Sequence, residues 1–310
     1  MPVHPVIQKV LNSLPQKEHG PLIPEEHRKL FNQPVLPLEK RIQVHHVEDR
    51  IVSLTNAEIP IRIYTPEDKE YYPILLYFHG GAFFSGNLES HDEIVRPICM
   101  ESGYKTIAVD YRLAPEHPYP AAVEDAYAIT EWVSQNGAEL QWDGKNLALA
   151  GDSCGGSLVA TTIYKARERK SFNITNQVYF YPALDLDFSQ DIYPSRTTNG
   201  TGYFVEKEGI PVHNSFYLST VTDATDPYVS PIKQDDLAGL PDALIITAEY
   251  DPFRDEGELF AKKLDKAKVN VEFKRYDGAT HGFLGKFTHL KEFSDVYERV
   301  GIFLKKHKKI

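Results

Sequence analysis

The feature that most constrains the fold is a series of short, densely apolar runs that alternate with helical patterns. Four such runs follow one another along the chain: PILLYFHG, KTIAVDYR, NLALAGDS and QVYFYPAL. Helical patterns separate them at about residues 92–101, 121–136 and 157–169. Strands that are apolar on both faces need cover on both sides, and the crossover helices of a parallel sheet supply it. The alternation therefore predicts an α/β protein whose mostly parallel central sheet is flanked by helices.

The segments on either side of this series extend the predicted sheet. Before it, residues 42–66 alternate around a turn signal at Asn56, which predicts two antiparallel strands. After it come the strand DALIITAEYD, a helix at about 256–268, the strand VNVEFKRYD and a closing helix at about 290–305. Residues 185–228 are polar, aromatic and punctuated by Gly and Pro, so they predict an insertion. Residues 1–310 are thus predicted to form one doubly wound domain with an inserted helical cap.

Composition restricts the partners and the compartment. The 310 residues carry a formal net charge of −10, whereas a nucleic acid or an anionic membrane needs a basic surface, so neither is predicted as a partner. Two cysteines, Cys99 and Cys154, are too few for a disulfide framework, and the N-terminus lacks the pattern of a signal peptide. A cytoplasmic protein is the expectation. No metal is predicted, because the sequence has neither H-E-x-x-H nor a zinc-type Cys/His spacing.

The junction between the strand NLALAGD and the helix after it carries two side chains that could act as a nucleophile, Ser153 and Cys154. A nucleophile on a sharp strand-to-helix turn needs small residues two positions before and two positions after it. Ser153 has Gly151 and Gly155 at those positions, whereas Cys154 would have Asp152 at the first. The spacing therefore selects Ser153 and leaves Cys154 to turn its backbone N–H toward the developing oxyanion. The motif alone is equally consistent with a glycine-rich strand–helix junction that has no catalytic role.

A second set of oxyanion donors is expected in the loop after the third strand. The strand PILLYF runs there into HGGAF, residues 79–83. His79 precedes the nucleophile in the chain and lies within this glycine loop, so we interpret it as a structural residue that pins the loop by hydrogen bonding.

The base and the acid that orients it should follow the nucleophile in the order Ser, acid, His. Asp251 comes directly after the strand DALIITAEY and is the favoured orienter, with Glu249 and Asp255 as lesser candidates. Asp255 is also predicted to cap the helix that follows. His281 lies in a loop after the last strand, where it can reach across the strand ends. Four elements in the right order, each at the carboxyl end of a predicted strand, favour a hydrolase.

These segments together resemble a known family. HGGAF, DYRLAPEHPYPAA, GDSCGG, DPFRDEG and HGF are similar to the motifs of the hormone-sensitive-lipase-like carboxylesterases, bacterial family IV of the α/β-hydrolase fold, and the similarity covers nearly the whole chain. The resemblance implies the triad that the spacing selects. It further implies that the N–H groups of Gly81, Ala82 and Cys154 form the oxyanion hole, and that Arg112 and Glu116 are internal ion-pair or hydrogen-bonding partners.

The resemblance also implies an α/β-hydrolase fold with a cap formed by about 1–45 and about 185–228, hydrolysis of a small-molecule ester without a cofactor, and a homodimer. Short to medium acyl chains are the expected substrates. One departure concerns Ala82, where the family usually has a third glycine, because a positive φ there would strain the methyl group. Two alternatives stay open: an amide or formamide hydrolase with the same triad, and a non-catalytic receptor, which would be expected to lack His281.

Overall fold

The computed structural model describes residues 2–14, 22–34, 36–188, 192–219 and 222–309. Within them, eight strands form one sheet: β1 (His46–Ser53), β2 (Glu58–Thr65), β3 (Tyr72–Phe78), β4 (Lys105–Val109), β5 (Trp142–Asp152), β6 (Asn176–Phe180), β7 (Asp242–Tyr250) and β8 (Val271–Thr280). Their order across the sheet is β1-β2-β4-β3-β5-β6-β7-β8. β2 pairs antiparallel with β1 and with β4, and every other pair is parallel. The predicted antiparallel pair and mostly parallel sheet are confirmed.

The described α-helices lie on both faces of this sheet. They are α1 (Pro5–Ser13), α2 (Pro24–Phe31), α3 (Asp92–Ser102), α4 (Ala121–Gln135), α5 (Cys154–Arg169), α6 (Pro194–Thr198), α7 (Ile210–Tyr217), α8 (Arg254–Lys266) and α9 (Val296–Lys306). In β3, Leu76 belongs to a core that includes buried residues of α4, α5 and α8, while the next residue, Tyr77, belongs to a core that includes buried residues of α1, α3 and α9. Successive side chains of a strand point to opposite faces, so two apolar cores result. None of these helices combines the length and the apolar character needed to cross a bilayer.

Two sequence-based boundaries are wrong. The closing helix begins at Val296, and the segment from about 290 before it consists of turns. There Phe293 is buried and its N–H donates to the carbonyl of Leu290, three residues back, which is a turn bond. The N-cap of α8 is Phe253, and Asp255 lies in the first helical turn. The Asp255 carboxylate instead accepts a hydrogen bond of 2.7 Å from the backbone N–H of Ser195.

The predicted cap segments make different contacts. In the first, Ile7 of α1 is fully buried with the α3 and α9 side of the sheet, whereas α2 has no buried residue. The second contains α6 and α7 and no strand among its described residues. The extent of the cap, about 1–45 and about 185–228, stays a prediction, and its residues 1, 15–21, 35, 189–191 and 220–221 lie outside the described parts.

Candidate active site

The turn between β5 and α5 holds Ser153 in a backbone conformation that few residues adopt, with φ +53° and ψ −123°. Its neighbours allow this because they lack a side chain. A Cβ on Gly151 would lie 2.4 Å from the carbonyl oxygen of Gly155, and a Cβ on Gly155 would lie 2.0 Å from the carbonyl oxygen of Phe78. Both contacts are with backbone, which cannot move aside. The close approach expected from the G-x-S-x-G spacing is therefore present, with Ser153 at its apex.

Two loops at the ends of β7 and β8 bring an acid and a histidine to this turn. His281 Nε2 lies 3.0 Å from Ser153 Oγ, and His281 Nδ1 lies 2.8 Å from Asp251 Oδ2. Asp251 is fully buried, and its other carboxylate oxygen accepts a hydrogen bond of 2.8 Å from the backbone N–H of Phe253. A buried carboxylate fixes Nδ1 as the protonated nitrogen, so Nε2 is left to accept the serine proton.

The other acidic candidates are engaged elsewhere. Glu249 Oε2 accepts a hydrogen bond of 2.7 Å from the backbone N–H of Gly278 in β8. Asp255 binds Ser195 and Arg254. The histidine ring itself contacts two aromatic edges, with ring centroids 4.8 Å from Tyr181 and 5.2 Å from Phe253. These rings limit the rotation of the imidazole.

The loop after β3, residues 80–86, is called the oxyanion loop here. Three consecutive residues in it have positive φ: Gly81 at +123°, Ala82 at +53° and Phe83 at +62°. Gly81 cannot carry a side chain, because a Cβ there would lie 2.1 Å from the carbonyl oxygen of Ser85. Ala82 thus occupies a left-handed conformation that costs an L-residue roughly 1–2 kcal/mol. Gly81 and Ala82 lie in this loop and Cys154 begins α5, and their role as oxyanion-hole donors stays a prediction.

Asp152 connects the oxyanion loop to the nucleophile turn, and sequence reasoning missed it. Its Oδ1 accepts hydrogen bonds of 2.7 Å from the backbone N–H of Gly80 and from the hydroxyl of Tyr77. Burial opposes its charge, but His91, Tyr77 and the N–H of Gly80 outweigh burial and hold the pKa of Asp152 below its ordinary value. The available signal was a charged residue inside a small-residue turn, because such a residue must have partners when it is buried.

Cys154 supports the same loop from the other side. Its Sγ accepts a hydrogen bond of 3.3 Å from the backbone N–H of Phe83. Burial raises the pKa of the thiol to about 12, so the reactive thiolate form is suppressed at neutral pH. The side chain is therefore a buried packing and acceptor group.

His79 contacts the loop rather than the Ser153–His281 pair, which agrees with its structural interpretation. Its Nδ1 lies 2.8 Å from the carbonyl oxygen of Gly80, and its ring stacks on Tyr111 with centroids 4.3 Å apart. Burial lowers the pKa of His79 to about 3, so the ring is neutral at physiological pH.

The two charged residues of the YRLAPE segment form ion pairs, as the resemblance implies. Arg112 pairs with Asp125 at 2.6 Å, and Glu116 pairs with Arg28 of α2 at 2.7 Å.

The insertion between β6 and β7 reaches the candidate site through contacts that sequence reasoning did not identify. Arg196 of α6 is buried; it pairs with Glu256 of α8 at 2.6 Å and donates to the carbonyl of Asp185 at 2.7 Å. Asn199 Nδ2 donates to the carbonyl of Asp251 at 3.2 Å. The insertion is thus bonded to the backbone of the residue that orients His281.

Six aromatic side chains of the insertion pack on other side chains, two of them within the insertion itself. Phe216 meets Phe84 of the oxyanion loop with ring centroids 5.3 Å apart, and Tyr217 stacks on Phe83 at 3.8 Å. The other four are Phe188 and Tyr193 on Arg196, Tyr203 on Tyr250, and Phe204 on Phe287. Among the described residues, no group of three His, Cys, Asp or Glu side chains is placed to hold a metal ion.

Known proteins that are similar to this chain include esterases. A family model described as the alpha/beta hydrolase fold matches residues 75–285. The esterase LipI of Mycobacterium tuberculosis is 35% identical over 295 residues, which cover 91% of this chain and 88% of LipI. An arylesterase of Saccharolobus solfataricus is 36% identical over 84% of both chains.

Solved structures agree with these relatives. A hyperthermophilic esterase from the archaeon Pyrobaculum calidifontis superposes with a TM-score of 0.88 and 36% identity over 99% of both chains. A thermostable esterase from Pseudomonas putida has a TM-score of 0.89 and 30% identity, over 100% of this chain and 98% of that one. The resemblance seen in the motifs is thereby confirmed, and the chain belongs to the hormone-sensitive-lipase-like branch of the α/β-hydrolase family.

Proposed function

We propose that this protein is a serine carboxylesterase that hydrolyses short- to medium-chain carboxylic esters through an acyl-enzyme. The observation that carries this function is the continuous hydrogen-bonded chain from Ser153 Oγ through His281 to the buried carboxylate of Asp251. The esterase names of its relatives support the same reaction class.

In the first half of the reaction, Ser153 Oγ forms a bond to the ester carbonyl carbon while its proton passes to His281 Nε2. Asp251 stabilises the resulting imidazolium. The tetrahedral intermediate then expels the alcohol, which takes the proton from His281, and an acyl-enzyme remains. In the second half, water attacks the acyl carbon and gives a proton to His281. The carboxylic acid leaves as that proton returns to Ser153.

The negative charge of the tetrahedral intermediate needs donors that are fixed before the reaction starts. We assign this role to the backbone N–H groups of Gly81, Ala82 and Cys154, which lie on the two segments beside Ser153. Each such donor contributes about a hundredfold or more to the rate.

The substrate preference is supported by the packing of the insertion. Six of its aromatic side chains contact rings or cations of the protein, so these six do not form an exposed apolar surface for a lipid aggregate. A small soluble ester is therefore the proposed partner.

Two further proposals accompany it: a cytoplasmic location, which the two buried free thiols Cys99 and Cys154 support, and a homodimer, which rests on the family resemblance alone.

A matched pair of variants tests the nucleophile. Ser153→Ala is expected to lower the kcat for p-nitrophenyl butyrate by about 10⁶-fold, to background, and to abolish labelling by a fluorophosphonate, because no other group can form the acyl bond. Cys154→Ala is the control and is expected to keep labelling and kcat within about fivefold. Labelling that persists in the serine variant and disappears in the cysteine variant would reverse the assignment.

Acyl-chain preference and reaction class need a separate measurement. The kcat/KM for p-nitrophenyl esters is expected to be highest between acetyl and octanoyl, and a maximum at palmitoyl would contradict the substrate proposal. Faster turnover of a matched anilide than of its ester would establish the amide hydrolase alternative.

A further inference from the structure

We infer that Arg28, on helix α2 of the N-terminal segment, is a positioning residue that holds the oxyanion loop in its active conformation. This inference rests on the proposed esterase function. It assigns a catalytic consequence to the docking of a helix whose Arg28 lies 56 residues before Phe84 of the loop.

The loop needs external restraint because its backbone is strained. Ala82 and Phe83 both have positive φ, and each such residue costs roughly 1–2 kcal/mol relative to an ordinary conformation. A strained segment persists only where its surroundings determine its conformation. If these two residues relaxed to negative φ, the peptide that carries the Ala82 N–H would rotate and the proposed donors would no longer converge.

Arg28 binds the carbonyl groups that would move in such a relaxation. Its Nε donates to the carbonyl of Phe84 and one of its terminal nitrogens donates to the carbonyl of Ala114, both at 2.5 Å. The N–H of Ala114 in turn donates to the carbonyl of Phe83 at 2.9 Å. The guanidinium thus ties the oxyanion loop to the YRLAPE segment directly beside the strained residues.

Two further contacts fix this arrangement. Glu116 receives two hydrogen bonds from Arg28, of 2.7 and 2.8 Å, which orient the guanidinium plane. The hydrogen bonding from Arg28 lowers the pKa of Glu116 to about 2, so the pair is ionised at neutral pH. One helical turn after Arg28, the side-chain oxygen of Asn32 accepts a hydrogen bond of 2.8 Å from the N–H of Gly86. The α2 segment therefore holds the loop at residues 84 and 86.

These hydrogen bonds and the ion pair account for much of the attachment of α2 to the rest of the protein. None of its eight residues is buried, and Leu30 is 84% exposed. A helix without a buried apolar face depends on its side-chain bonds for its position. Docking of α2 and the geometry of the oxyanion loop are consequently coupled through Arg28.

The test compares Arg28→Gln and Arg28→Lys with Arg167→Gln in the full-length protein. Arg167 is the matched control, because its guanidinium also donates to two backbone carbonyls, those of Asp236 and Ala238, but does so on the surface of α5. Each preparation is first titrated with a fluorophosphonate, so that kcat is expressed per active serine. Inhibition by a trifluoromethyl ketone is measured alongside, because its adduct with Ser153 carries the oxyanion that the loop should bind.

Arg28→Gln is expected to lower kcat by about 10- to 100-fold with KM within about threefold, since displaced donors act on the transition state rather than on the bound ester. The Ki of the trifluoromethyl ketone should rise by the same factor. The kcat of Arg28→Lys should lie between that of Arg28→Gln and that of wild type, because an ammonium group cannot bind both carbonyls and Glu116 in the same plane. Arg167→Gln should keep kcat within twofold.

The inference is overturned if titrated Arg28→Gln keeps kcat within threefold, or if kcat falls while the trifluoromethyl ketone Ki is unchanged. If Arg28→Gln is insoluble, Arg28→Met replaces it and the same two criteria are applied. Failure of the esterase function itself is distinct, because it would leave wild type without ester turnover.

Discussion

The two sides of Ser153 are held by different kinds of contact. On the side of the sheet, the nucleophile turn is fixed by backbone against backbone, with Gly151 and Gly155 packed so closely that no side chain fits. On the side of the cap segments, α2 and α6 are attached by long side chains, above all Arg28 and Arg196. Backbone contacts position the nucleophile through local geometry, whereas side-chain contacts depend on residues far away in the chain. The nucleophile turn is therefore rigid by construction, and the cap side depends on a few replaceable bonds.

The largest effect is expected from a methyl group added on the sheet side. Gly155→Ala places a Cβ about 2.0 Å from the Phe78 carbonyl oxygen, so β3 and α5 must separate. We expect a loss of at least about 3 kcal/mol in the free energy of unfolding and about a 100-fold loss of kcat/KM per folded molecule. Urea denaturation and titrated kinetics measure the two quantities.

Gly209→Ala provides the matched control on the cap side. Gly209 has an ordinary negative φ, and the atoms nearest to an added Cβ lie 3.8 Å away. The free energy of unfolding is expected to change by no more than about 0.5 kcal/mol. Equal losses in the two alanine variants would contradict the contrast between the two sides.

The next largest effect is expected where the cap side depends on one buried ion pair. Arg196→Met removes the partner of Glu256, which is fully buried. Burial raises the pKa of Glu256 to about 8, so without Arg196 this carboxyl takes up a proton at neutral pH, and the loss of its buried hydrogen bonds costs about 1–3 kcal/mol, to be measured by urea denaturation. The double variant Arg196→Met with Glu256→Met should recover part of this loss, because the orphaned carboxyl group is gone. A single-variant cost below 1 kcal/mol would show that this pair does not anchor the insertion.

The sheet side should also respond to pH through His79. Burial lowers the pKa of this histidine to about 3, from an ordinary value of 6.5. Between these pH values the unfolded chain binds the proton more readily than the folded protein does, so stability falls as pH falls. From pH 7.5 to pH 5.5 the His79 contribution amounts to about 1.4 kcal/mol.

His79→Asn should remove this dependence from denaturation curves recorded across that range. Asp110, whose pKa burial raises to about 6, contributes with the opposite sign, so the difference between wild type and variant is the quantity to compare. Identical pH slopes in the two proteins would mean that His79 is not held neutral by the fold.

The smallest effect concerns the residue that lies between the two sides. Ala82→Gly removes the penalty of a methyl group at φ +53° and should raise the free energy of unfolding by up to about 1 kcal/mol. We expect kcat within twofold, because the N–H donor remains. Ala82→Val should have the opposite sign, since a β-branched side chain tolerates positive φ poorly. Stabilisation by valine would show that the loop is not strained at this position.

The difference between the two sides also explains what the sequence could predict. Ser153, Asp251 and His281 each follow a strand within a short motif, so the strand ends bring them together whatever the rest of the chain does. The contact between Arg28 and the loop spans 56 residues, and that between Arg196 and Glu256 spans 60. No local pattern encodes either pair.

Misassigned details have the same origin. Asp255 looks like an N-cap because its sequence neighbours favour one. Its carboxylate instead accepts a hydrogen bond from the backbone N–H of Ser195 in the insertion. The sequence around Asp152 does not predict its role, because the partners that make its burial acceptable, Tyr77 and Gly80, lie more than 70 residues away. Long-range polar contacts decided both of these cases.

The position of His281 determines when, during synthesis, the protein can become active. His281, the proposed base, lies 128 residues after Ser153, the proposed nucleophile, and beyond β8, which follows every other described strand in the chain. At about 5–20 residues per second, a ribosome needs about 6–26 s to add this stretch. A nascent chain that already contains the serine turn therefore has no base to activate it. Ester hydrolysis by the proposed triad begins only when β8, the edge strand of the sheet, has been synthesised and has docked. The activity therefore depends on completion of the fold.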